Sequence, residues 1–374
     1  MTYFDRVFDP VLLISFSVFC IISFSLSFFF IKIGRYFFTL RGKKDLYAIQ
    51  SAHEDIVPRL GGLAVFLTLL FFILLSTSKF LVFSFFIEFN VGSIVYLLIS
   101  ALPIFVLGLS EDLGYLVSPQ KRFLASIVSG ACVILFLDVW VTDVGIVVLD
   151  SALSFGLTGI IFTLIATSGV VNAFNLIDGL NGLASFAGIS TAIALSYIAF
   201  EVNQVDVMRF LFIFSACILG FTVLNFPLGK IFLGDAGAYL IGHLLVWTAI
   251  ILVNHSSDVS SFAILLIFFW PVADTCLAIW RRKKKNRRTD KPDRLHFHQL
   301  VMRFLEIRFL GRAKRRISNP IATTILLPFV IMPQILGAMF WNNFAMTLFS
   351  TIIMSTLFAA TYLLSITMAK RAKP

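Results

Sequence analysis

Long apolar runs, separated by short clusters of charge, glycine or proline, occupy most of the chain, and as helices such runs match the roughly 30 Å of a bilayer's hydrocarbon. Spans are expected near Pro10 to Ile33, Leu60 to Thr77, Ile94 to Leu109, Phe123 to Leu137, Phe155 to Val171 and Leu183 to Phe200. Others are expected near Phe210 to Phe226, Gly237 to Val253, Phe262 to Trp280, Ile321 to Trp341 and Met346 to Thr367, making about eleven crossings. The pattern predicts an all-α polytopic transmembrane helix bundle, a single membrane domain over residues 1–374 without internal repeats. One stretch departs from it. Between Asp138 and Ser154, the β-branched pieces Val139 to Val141 and Ile146 to Val148 flank Asp143 and Gly145, which suggests a short β-hairpin on the outer face.

Composition agrees with this reading. Hydrophobic residues make up 59% of the chain and charged residues 13%, which excludes an ordinary water-soluble core. The 43 phenylalanines suit lipid-facing helices and carry no chemistry by themselves. Cys20, Cys132, Cys217 and Cys276 stand singly inside apolar runs, so neither a disulfide framework nor a zinc site is indicated. The first run follows Asp5 and Asp9 rather than a basic segment and lacks a small-residue cleavage site, so it is expected to remain as an anchor.

Charge then orients the bundle. With an odd number of crossings the termini lie on opposite sides. Only Arg6, Lys79 and Arg209 fall in the N-terminal segment or in loops after even-numbered spans, and the remaining Lys and Arg fall opposite. The N-terminus is therefore expected outside and the C-terminus in the cytoplasm. The basic stretch Arg281 to Asn319 reads as an orientation signal that attracts anionic membrane lipids, with no nucleic acid implied.

Parity places the loops 34–59, 110–122, 172–182, 227–236 and 281–319 on the cytoplasmic face, and every suggestive polar motif lies in or beside one of them. In His53 to Gly62, Arg59 precedes two glycines at a helix entrance, suiting either an anionic ligand or a membrane boundary with close helix packing. Glu111 and Asp112, with Lys121 and Arg122 downstream, put adjacent carboxylates at a span end, where they suit metal or proton chemistry or a water-exposed helix end. Asn172, Asn175, Asp178 and Asn181 recur at intervals of three before an Asn-Gly break, offering hard oxygen donors for Mg²⁺ and amides for a nucleobase or sugar; a simple turn is the plainer reading. Asp235, between Gly234 and Ala236-Gly237 at a helix entrance downstream of Asn225, suits a metal bound to diphosphate. Asp274 lies inside the ninth run, and Arg294, His296 and His298 follow in the basic loop as anion-binding groups rather than a zinc site.

In this order, Pro58 to Gly62, Glu111-Asp112, the N-x-x-N-x-x-D-G of Asn172 to Gly179, the G-D-x-G of Gly234 to Gly237 and Asp293 to His298 resemble the polyprenyl-phosphate N-acetylhexosamine-1-phosphate transferase superfamily. The Asp293 to His298 run looks like the bacterial branch that starts O-antigen and related glycans. The resemblance implies an enzyme of the bacterial inner membrane in which a polyprenyl phosphate attacks the β-phosphorus of a UDP-N-acetylhexosamine, releasing UMP. It implies Mg²⁺, with Mn²⁺ as an alternative, held by Asp235 with Asn175 as a second ligand. It further implies a catalytic set of Asp112, Glu111 and Asp235, with Asp112 holding or deprotonating the lipid phosphate and Lys121 offsetting its charge. Asn172, Asn225, Asp178 and Asn181 would serve the nucleotide site, Arg59, Arg294, His296 and His298 would clamp the diphosphate or sugar, and Asp274 would support structure. A homodimer is left open. Two positions depart from the family: Glu111 stands where aspartate is usual, and Gln299 follows His298 where another histidine is common. Rival readings are a proton-coupled transporter, whose site should lie near the bilayer midplane, and a non-catalytic sibling that binds lipid carriers.

Overall fold

The computed structural model describes residues 10–41, 57–77, 92–284, 296–311 and 314–371. The helices run α1 (Pro10–Arg41), α2 (Gly61–Thr77), α3 (Gly92–Asp112), α4 (Pro119–Leu137), α5 (Val147–Leu153), α6 (Gly156–Ile177) and α7 (Leu183–Glu201). They continue as α8 (Val205–Asn225), α9 (Gly234–His255), α10 (Ser261–Ile267), α11 (Phe269–Lys284), α12 (Phe297–Leu305), α13 (Arg315–Met339) and α14 (Phe344–Arg371), with a π-helical turn at Glu306–Leu310. All eleven apolar runs are helical. Among the described residues nine helices are long and apolar enough to cross a membrane, or ten if α10 and α11, bent by 79° at Phe268, form one broken span. The second run forms the shorter helix α2, of 17 residues.

The hairpin expected near residues 138–154 is not formed, and no strand occurs among the described residues. Asp138 instead closes α4 in the left-handed conformation, and residues 147–153 coil into α5. The backbone groups a second strand would have satisfied find side chains. Val141 N–H donates to Thr163 Oγ1 at 2.8 Å and Val144 N–H to Asp150 Oδ1 at 2.7 Å. Local polar partners thus outcompeted β-propensity.

α9 is the axle of the bundle. Of its 18 most apolar consecutive residues 89% are buried, against 22% for α14 and 28% for α1 and α4, whose outward faces carry Ile21, Phe29, Leu135 and Phe349. An apolar helix buried all round is what a central position requires. α2, α3 and α6 pack directly on it, and small residues set their approach. A Cβ on Gly62 would overlap the Gly237 backbone, and one on Gly108 would stand 2.7 Å from Ala236 N. Packing through glycine and alanine is how membrane helices come close where the hydrophobic effect between them is weak. Polar ties pin the outer helices: Ser23 Oγ donates to Cys217 O at 2.5 Å (α1 to α8), and Gln334 Nε2 to Thr191 Oγ1 at 3.0 Å (α13 to α7).

Candidate active site

The site is assembled at the N-terminal end of α9. The short segment before α2 lies along the segment before α9, with Phe232 N–H donating to Pro58 O, Gly61 N–H to Phe232 O and Gly62 N–H to Leu233 O, at 2.8–3.0 Å. This docking accounts for Pro58 to Gly62 and for the glycines around Asp235 without any ligand. It also holds Arg59 at the rim, half-buried and within electrostatic reach of Glu111, Asp112 and Asp178.

α9 has no capping side chain of its own. Asp112 supplies one from the end of α3: Oδ1 accepts from Asp235 N–H and Oδ2 from Ala236 N–H, both at 2.9 Å, and the residue is 2% exposed. A carboxylate there satisfies two orphan amides and complements the helix dipole. Gly234 makes room, at φ +77° and with its Cβ direction 2.5 Å from Asp112 Oδ2. The carboxylate expected to handle a lipid phosphate is thus engaged in holding the helix end that presents Asp235.

Asp235 itself is half-buried, and Asn175 Nδ2 from the last turn of α6 donates to its Oδ1 at 2.5 Å. The two expected metal ligands therefore meet. Asp178 caps the C-terminus of α6 close by, receiving a hydrogen bond from Gly234 N–H. Burial, then the Asp235 carboxylate, push the Asp178 carboxyl up to about 7, against Arg59 and that amide. Glu111 pairs with Arg122 Nη2 at 2.6 Å and lies within reach of Asp235.

The remaining expected residues sort differently. Lys121 is exposed in the first turn of α4, where its backbone N–H bonds the capping Ser118 Oγ, and the neighbouring Arg122 takes the acidic partner instead. Successive helical residues point about 100° apart, so only one of the two can face α3. Asn172 ties α6 to α4, donating to Ser168 O at 2.8 Å and Ser126 Oγ at 3.3 Å. Asn225 has its side chain engaged by backbone, accepting from Gly182 N–H at 2.6 Å and donating to Ile231 O at 2.7 Å. Asn181 is clamped through its main chain to Asn319 and Thr323 of α13. These three asparagines hold the loops of the site together.

Asp274 of α11 organises the histidine turn, as its expected supporting role requires. Its oxygens meet His296 Nδ1 and Phe297 N–H, both at 3.0 Å, with His298 Nδ1 at 3.7 Å. His298 is fully buried, and a Cβ on Gly179 would stand 2.5 Å from its Nε2, so the fifth motif seats directly on the third. Burial holds the His298 imidazole below its ordinary value, against the pull of Asp274. Arg294 and His53 to Ile56 lie outside the described residues.

Sequence reasoning set Arg122 beside the acidic pair but gave the charge-balancing role to Lys121, and it missed Tyr239. Tyr239 lies one turn beyond Asp235 on the same face of α9, within reach of Asp235, Arg122 and Glu111, a placement that helical spacing alone could have flagged. Among the described residues no three His, Cys, Asp or Glu side chains form a metal cage. The donors that do meet, Asp235 and Asn175 with Asp178 adjacent, are hard oxygen ligands in small number. That set fits a Mg²⁺ completed by phosphate and water, and does not fit zinc.

Adjacent acidic side chains and an arginine at the tip of a buried apolar helix define a charged site at one end of the bundle. The comparisons with known proteins narrow it. The chain belongs to glycosyl transferase family 4, whose pattern matches residues 94–253, and within it to the polyprenyl-phosphate N-acetylhexosamine-1-phosphate transferases. It is 30% identical over 297 residues to the decaprenyl-phosphate N-acetylglucosaminephosphotransferase of Mycobacterium tuberculosis (strain ATCC 25618 / H37Rv), covering 72% of this chain and 69% of that one. It is 28% identical over 264 residues to a probable undecaprenyl-phosphate N-acetylglucosaminyl 1-phosphate transferase of Bacillus subtilis (strain 168), covering 70% of each. The undecaprenyl-phosphate alpha-N-acetylglucosaminyl 1-phosphate transferase of Escherichia coli (strain K12) is 26% identical over 267 residues, again 70% of each.

Proposed function

We propose that this protein transfers an N-acetylhexosamine 1-phosphate from a UDP-sugar to a polyprenyl phosphate, releasing UMP and starting a lipid-linked glycan of the O-antigen type. The observation that carries this reading is the meeting of Asp235 and Asn175 at the tip of α9, with Asp178, Glu111 and Arg59 around them. In the reaction an oxygen of the lipid phosphate forms a bond to the β-phosphorus of the donor. The bridging P–O bond breaks, and its electron pair leaves with UMP. The nucleophile is already an anion, so alignment and charge neutralisation outweigh a strong base.

Mg²⁺, or Mn²⁺ in its place, would sit on Asp235 and Asn175 and supply charge neutralisation at the diphosphate. Arg59, within electrostatic reach of Glu111, Asp112 and Asp178, would balance phosphate charge. Asp112 acts as a positioning residue, since its two oxygens fix the amides that carry Asp235. Asp178, at the C-terminal end of α6, would meet the donor's polar head. Lys and Arg asymmetry supports a bacterial inner-membrane protein with a periplasmic N-terminus and a single membrane domain, its loops 34–59, 110–122, 172–182, 227–236 and 281–319 facing cytoplasmic UDP-sugars.

The test incubates purified protein with polyprenyl phosphate, Mg²⁺ and a panel of UDP-N-acetylhexosamines, and measures UMP and lipid-linked sugar. Product with at least one donor is expected. Absence of product with every donor, from protein that binds polyprenyl phosphate, would leave the carrier-binding sibling as the correct reading.

A further inference from the structure

The face of α9 that begins with Asp235 stays polar at every turn: Tyr239, His243 and Trp247 follow at intervals of four. All three are 0% exposed. His243 Nδ1 and Trp247 Nε1 are without a hydrogen-bond partner, and Tyr239 OH meets Arg122, whose guanidinium can only donate to it, so the Tyr239 O–H itself is unspent. A polar atom left bare in an apolar interior is unfavourable, and these three groups share one face of α9.

Their chemistry is complementary. Ser100 O–H donates to Leu97 O at 2.8 Å, which leaves Ser100 Oγ to accept from His243 Nε2 at 3.0 Å. His243 Nδ1 is then a pure acceptor. Tyr239 O–H on one side and Trp247 Nε1–H on the other are donors. His243 Nδ1 is hydrogen-bonded to neither Tyr239 nor Trp247, and one bridging water can join polar groups held apart on a helix face.

We propose that α9 carries a file of buried waters running inward from Asp235, bridging Tyr239 OH to His243 Nδ1 and continuing to Trp247 Nε1. The file is a cul-de-sac. Gly130 of α4 lies against the Trp247 ring and the Thr167 hydroxyl, and the next position on the face is Ile251. It therefore hydrates the inner side of the site without joining the two ends of the bundle. The inference rests on the packing of α9 and not on the catalytic reading.

X-ray radiolytic labelling read by mass spectrometry tests it, because hydroxyl radicals formed in place from bound water oxidise the side chains that touch it. The full chain is labelled in phosphatidylethanolamine and phosphatidylglycerol nanodiscs. Tyr239 and Trp247 are expected to label several-fold faster than Phe210 and Phe214, which are buried as deeply in α8 but have no polar atom. His243→Phe is expected to lower labelling of Trp247 and leave that of Tyr239 in place. Labelling of Tyr239 and Trp247 at the phenylalanine rate overturns the proposal, as does a Trp247 rate indifferent to His243→Phe. The wild-type comparison decides the existence of the file even where the variant does not fold.

Discussion

Asp112 and Asp235 are both acidic and both at the tip of α9, yet their replacement should have different consequences. Asp112→Ala removes the acceptors of two helix-end amides, so a loss of about 1–3 kcal/mol per unsatisfied group is expected, read as a lower thermal midpoint in detergent. An unchanged midpoint would mean that the helix end finds other partners. Asp235→Asn leaves those bonds in place. Its expected effect is a fall in transfer of at least about a hundredfold with a retained midpoint, and wild-type turnover would remove Asp235 from the metal site. Asp178 adds a pH signature. Its carboxyl stands at about 7 in the fold against the ordinary 3.8, so between these values the folded chain keeps a proton that the unfolded chain releases. Stability of the Mg²⁺-free protein is expected to fall as pH rises through that window and to level off above it. Asp178→Asn should flatten the slope, and equal slopes in the two proteins would assign the effect to another group.

At the scale of elements, the approach of α2 to α9 depends on a pair of glycines. Gly62→Ala is expected to lower the thermal midpoint by several degrees, since the added methyl meets the Gly237 backbone and not a movable side chain. Gly169→Ala is the control: nothing lies within 4 Å of its Cβ direction, and alanine in a helix interior should stabilise by up to about 1 kcal/mol. Equal responses at the two positions would show that the contact does not limit helix approach. Helices were the most legible part of the sequence, because apolar run length is a local property. The residues 138–154 misled for the opposite reason. Val139 and Val141 carry the β signal, but the partners that decided the matter, Thr163 and Asp150, are polar side chains that a pattern of β-branched residues does not weigh. The amide of Asn225 was similarly unreadable, since Gly182 and Ile231 reach it only after three helices have packed.

Across the whole molecule, the described parts of the five motifs meet at one end of the bundle, the convergence that charge and run length lead one to expect. The roles within the cluster could not be read that way, since Lys121 and Arg122 differ only in which one the start of α4 turns toward Glu111. Orientation is open to a direct check: reporter fusions are expected to place the C-terminus in the cytoplasm and the N-terminus outside, and matching signals at both ends would demand an even number of crossings. The depth at which α9 is set has a further consequence for the lipid environment. A bilayer thicker or thinner than the protein's apolar belt is accommodated by tilting the helices that touch lipid, and those are α1, α4 and α14, whose outward faces are bare. The helix that carries Asp235 touches almost none, so a mismatch in acyl-chain length should be absorbed at the perimeter before it reaches the reacting groups.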